Sequence, residues 1–136
     1  MRHFDFYQPV DYNYRAKDSF HRTVRSRLRA TAKALGLPSG TYTIDSNKAG
    51  DAVSGEIILR GEYLYVVVSQ PCTGDDNGIL IRSSSRGGMN YFAPLQILNE
   101  PEKLAASITR LLRLDHTTEQ RAFRATTSDY RFSAAS

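Results

Sequence analysis

Between residues 40 and 92 the apolar residues abandon any helical period, and this restricts the fold more than any other feature of the chain. Residues 41–44 alternate with β-formers, residues 53–59 end in Ile57-Ile58-Leu59, and residues 63–68 form an unbroken β-branched and aromatic run. Short runs of this kind, bounded by Gly, Pro, Asn and Asp, make strands. Arg60-Gly61 stands between two of them, and a glycine there can take the positive φ of a tight hairpin turn. The two runs are continuous, which predicts central strands covered at least partly on both faces. Turn-formers from Pro71 to Gly78 precede a strand at 79–82, and Arg86-Gly87-Gly88 turns the chain into Asn90-Tyr91-Phe92. The middle of the chain reads as an antiparallel meander of three to five strands.

Helical periods flank this region. Ser19 with Asp18 beside it suits a helix start, and Gly36 followed by Pro38 suits a stop, which predicts a helix over about 18–35. At 100° per residue Phe20, Val24, Leu28, Thr31 and Leu35 fall within roughly 80°, while Arg22, Arg25, Arg29 and Lys33 occupy another arc of roughly 80° almost opposite. A second helix is expected after Asn99, with Glu102 three residues on in a capping-box pattern and Pro101 in the first turn. Its apolar face is Leu104, Ile108, Leu111 and Leu112, and it should end near Asp115. The fold class is therefore α+β, the meander packed with an N-terminal basic amphipathic helix and a C-terminal helix. At 136 residues the chain holds a single domain over 16–115, with an aromatic arm at 1–15 and a short helical turn and flexible tail at 116–136.

The order helix, strands, helix resembles in topology the double-stranded-RNA-binding domain. The second helix here begins Asn99-Glu100-Pro101-Glu102-Lys103, without the lysine cluster which that family places on phosphates.

Charge is unevenly spread. The net charge is +4, yet residues 1–33 hold eight Lys/Arg against three acids, so the surplus there exceeds the total. The stripe Arg22, Arg25, Arg29 and Lys33 could follow a phosphate backbone or an acidic protein surface, because guanidinium groups pair with phosphate oxygens and binding releases counterions. The competing explanation is a solvated, solubilising helix face. Phe4, Phe6, Tyr7, Tyr12 and Tyr14 lie among cations and could stack or dock on a partner, or could pack on the sheet.

Other chemistry finds little support. Asp45, Asn47, Gly50 and Glu56 match four positions of a calcium loop, but Ala49 stands where a ligand belongs, Lys48 adds an unwanted charge, and no metal or cofactor is expected. Asp75-Asp76-Asn77 suits a turn. The single cysteine, Cys72, could act as a nucleophile only if His21 or His116 reached it. Ser83-Ser84-Ser85 lacks the glycine-flanked elbow of a serine nucleophile. No apolar run is long enough to cross a bilayer and no secretory signal is present, which predicts a cytoplasmic protein without a membrane partner. The expected function is a small non-catalytic binding module whose first helix contacts a polyanion, most simply nucleic acid. The alternatives are a protein-interaction or inhibitor module of the kind found among accessory proteins of phages and other mobile elements, docking through the aromatic arm and tail, and an enzyme using Cys72.

Overall fold

Asn13 starts the first helix. A computed structural model describes residues 3–10, 13–49, 53–62, 64–70, 77–83 and 90–114. In it Asn13 is extended and its side chain accepts from the Ala16 N–H at 3.1 Å, so α1 runs Tyr14–Ala34. The helix thus begins one turn before Asp18, and Ser19 lies within it rather than capping it. Its other end closes as expected at glycine. Gly36 has φ 78°, its N–H donates to Lys33 O at 3.0 Å, and the Leu37 N–H donates to Ala32 O at 3.0 Å. This double closure satisfies the last carbonyls, and Leu37 is buried beside it. Phe20, Val24, Leu28, Thr31 and Leu35 are all buried, as their period requires.

Five strands follow: β1 (Tyr42–Asn47), β2 (Glu56–Gly61), β3 (Tyr65–Val68), β4 (Ile79–Arg82) and β5 (Asn90–Ala93). They form one antiparallel sheet in sequence order, the meander anticipated. The register places Leu59, Val66 and Ile81 in one cross-strand row and Ile57, Val68, Ile79 and Ala93 in the next, all fully buried. Because side chains alternate along a strand, their neighbours point the other way. Of these, Arg60, Arg82, Asn90 and Phe92 are exposed, Tyr65, Val67 and Leu80 are half-buried, and Ile58 is buried. The continuous apolar runs thus mark strands covered on both faces, fully on the inner one and partly on the outer one.

The β2–β3 turn also differs from expectation. Arg60 and Gly61 belong to β2, and Gly61 N–H donates to Leu64 O at 2.8 Å, so the reversal lies between Gly61 and Leu64. The turn shifted because pairing of Arg60 with Tyr65 extends the ladder past the apolar run. At the β1–β2 hairpin, Asn47 pairs with Glu56, and Gly55 has φ 73°. A Cβ on Gly55 would lie 2.4 Å from Asn47 O, so only glycine fits there without movement.

After β5 a 3-10 helix, Leu95–Asn99, buries Leu95 and Leu98, and α2 runs Pro101–Leu114. Leu104, Ile108, Leu111 and Leu112 are buried, and α2 packs on α1. The capping role expected of Asn99 is not the one it plays. Its Oδ1 accepts from Phe4 N–H at 2.8 Å, and its Nδ2 donates to Phe4 O at 2.9 Å and Gln96 Oε1 at 2.8 Å. Gln70 acts alongside it, donating from Nε2 to Phe6 O at 2.9 Å and Gln8 O at 2.6 Å. Two side-chain amides thus satisfy backbone groups of a segment that has no strand neighbour. They hold Phe6 and Val10 inside the core, where the Phe6 ring meets Phe20 edge-on at 6.3 Å between centroids.

Candidate functional site

The cationic face of α1 looks onto the β1–β2 hairpin. A cleft of about 670 Å³ lies between them, lined by Asp18, His21, Arg22, Arg25, Arg29, Ser46 and Lys48. Residues 22, 25 and 29 fall on one side of the helix, and successive members rise by about 4.5 and 6 Å along its axis. Arg25 is half-buried at the junction of the two elements, where Nη1 donates to Ser46 Oγ at 3.1 Å. Arg22 and Arg29 are exposed on either side of it. Lys48 enters from the hairpin, one residue beyond β1, and its Nζ bonds Asp18 Oδ1 at 2.5 Å.

Four cations and one carboxylate therefore share this lining. The Lys48 ammonium, through its hydrogen bond and its charge, holds the Asp18 carboxyl below the usual range. Both partners are more than half exposed, so their pairing is weak in water and open to exchange for another anion. Among the described residues Asp18 is the one carboxylate of the lining, and it also feels the charge of Arg22.

His21 closes one side of the cleft. It is 2% exposed, and its Nε2 lies 2.7 Å from Ser54 O. A carbonyl can only accept, so Nε2 carries the proton and Nδ1 of the neutral ring holds a lone pair. Nδ1 has no hydrogen-bond partner. Burial pushes the His21 pKa down, the Ser54 bond opposes this, and Lys48 and Lys17 push the same way as burial. The ring is thus neutral at pH 7 and adds no charge to the site.

Lys33, exposed in the last turn of α1, does not line the cleft. Arg110 and Arg113 lie on a different cleft of about 380 Å³ with Ala34 and Glu102, away from the α1–β1 junction. Of the aromatic residues near the N-terminus, Phe6 is fully buried and Phe4 and Tyr7 pack partly buried against the core. Phe6 is therefore closed to any partner while the domain is folded. Tyr14, the first residue of α1, is 86% exposed, and Tyr12 lies outside the described residues.

The other candidates separate or fall outside the description. Asp45 and Asn47 sit in β1 and Glu56 in β2, with Asp45 Oδ2 3.7 Å from Arg60 Nε. Gly50, Cys72, Asp75, Asp76, Ser84, Ser85 and His116 lie outside the described residues, while Ser83 is buried. Among the described residues no group of three His, Cys, Asp or Glu is placed to hold a metal ion, and no helix is long and apolar enough to cross a membrane.

Three residues in or beside the site were not assigned to it from the sequence. Lys48 reaches the cleft only through the tertiary pairing of α1 with β1. His21 and Arg27, both buried, did have a signal, because each falls roughly 20° outside one edge of the apolar arc of α1. No family model, curated protein or solved structure matches the chain.

Proposed function

We propose that this protein is a non-catalytic binding module for nucleic acid, gripping the sugar-phosphate backbone in the cleft between α1 and the β1–β2 hairpin. The observation that supports this reading is the company Arg22, Arg25 and Arg29 keep: a fourth cation, Lys48, arrives from another element, and the one acid among the described lining residues, Asp18, is hydrogen-bonded to Lys48. A merely solubilising face has no need of a concave lining with cations converging from two sides. Arg also suits phosphate better than Lys, since its planar fork donates two parallel hydrogen bonds. Phosphates entering the cleft displace the Asp18 carboxylate from Lys48 and meet Arg25, whose guanidinium is already fixed by Ser46. That fixation reduces the side-chain entropy lost on binding.

Fluorescence anisotropy with random-sequence DNA and RNA oligonucleotides tests the proposal. Binding is expected at low salt and is expected to disappear when Arg22, Arg25 and Arg29 are replaced together by Gln. Absence of binding at low salt, or equal binding by the triple variant, refutes it.

A further inference from the structure

We infer that the outward face of the sheet is a stacking surface for unpaired bases, so that the nucleic acid bound is single-stranded; this rests on the nucleic-acid reading of the α1 cleft. The register sets out two adjoining cross-strand rows on this face. Ile58, Val67, Leu80 and Phe92 form one, and the next carries Arg60, Tyr65 and Arg82. Phe92 is 56% exposed in spite of its large apolar ring, Leu80 and Val67 next along the row are half-buried, and Ile58 at its far end is buried. An apolar row that opens to solvent at one end, here the Phe92 end, is the kind of surface that takes a partner.

Charge narrows the choice of partner. The Arg60 guanidinium lies 5.1 Å from the centre of the Tyr65 ring, and Arg82 pairs directly across from Tyr65. The outward acids, Asp45 and Glu56, belong to β1 and β2, whereas the described outward positions of β3, β4 and β5 carry Arg82 and no acid. An apolar and aromatic surface edged by guanidinium groups suits nucleobases, whose faces stack on rings while the phosphates between them meet cations. Tyr65 and Phe92 stand two strands apart, about 10 Å across the sheet, which leaves room for more than one base. A duplex hides these base faces within its own stack, so only an unpaired strand can use the surface.

The chain contains no tryptophan, so Phe92→Trp installs a single reporter on this face. Its fluorescence should be quenched by a short mixed-sequence single-stranded oligonucleotide and left unchanged by the matching duplex. Phe92→Ala should lower single-strand affinity about tenfold while shifting duplex affinity less than about twofold. If anisotropy shows binding but the tryptophan signal does not change and Phe92→Ala binds like the parent, the stacking surface is wrong and the α1 cleft stands alone. A tryptophan signal that follows protein concentration without oligonucleotide also overturns the inference, because the face is then an interface between copies. If no oligonucleotide binds at low salt, the reading of α1 has failed and this one with it.

Discussion

Lowering the pH from 7 to 5 should destabilise the fold through His21. In the folded chain the ring is neutral, buried and fixed by its Nε2–H donating to Ser54 O at 2.7 Å, and burial keeps its pKa below the unfolded value. The sign follows from linkage. A histidine whose folded pKa is depressed takes up its proton first in the unfolded chain, so stability is lost as pH falls through the unfolded value of about 6.5 and continues to fall until the folded ring also titrates. One group can contribute a slope of at most about 1.4 kcal/mol per pH unit, which is a large part of the margin of a domain this size. Asp18, whose pKa is also lowered, acts in a separate window below about pH 4. Urea unfolding followed by circular dichroism at half-unit steps of pH resolves the effect. The parent should lose stability progressively below about pH 6.5, and His21→Gln, which keeps an N–H donor and does not titrate, should flatten the profile. Parent stability that stays constant or rises between pH 7 and 5, or an equal slope in the variant, refutes the assignment of a buried neutral ring.

Other consequences are open to direct measurement. Phe6→Ala should cost about 3–5 kcal/mol in urea unfolding, because its ring is fully buried against Phe20; a loss below about 1 kcal/mol would mean that residues 3–10 do not belong to the core. Gly55→Ala should destabilise by more than the roughly 1–2 kcal/mol of a left-handed backbone, since its methyl would also meet Asn47 O. Gly40→Ala, with φ 91° and open space around it, should show the backbone cost alone, and equal losses at the two sites would contradict the hairpin geometry. Asp18→Asn should tighten oligonucleotide binding at low salt, because a phosphate no longer has to displace a carboxylate from Lys48; unchanged affinity would show that Lys48 takes no part.

The helices and the sheet were legible because burial imposes a period on the sequence. Phe20 to Leu35 on α1 and Leu104 to Leu112 on α2 had to repeat as they do to reach one core. Ends were less legible, since they depend on single hydrogen bonds. Asn13 takes the capping role that Ser19 suggested, and Asn99 leaves the start of α2 to hold the backbone of Phe4. That exchange could not be read locally, because residues 4 and 99 meet only after the sheet and both helices assemble. The β2–β3 turn moved for a related reason: strand pairing extended beyond the apolar run that suggested its end. Within the candidate site, the arc of Arg22, Arg25 and Arg29 was visible as one face of a helix. Lys48 was not, for a hairpin residue acquires its neighbours from the way α1 lies on the sheet.

The salt dependence of oligonucleotide affinity probes the α1 cleft itself. Four cations engaged with phosphates contribute about −3 to the slope of log affinity against log salt, and a variant with Arg22, Arg25, Arg29 and Lys48 all replaced by Gln should bind weakly with a slope shallower by about that amount. A parent that fails to bind at low salt, or a variant whose slope matches the parent's, would mean that these four residues do no more than keep the surface hydrated.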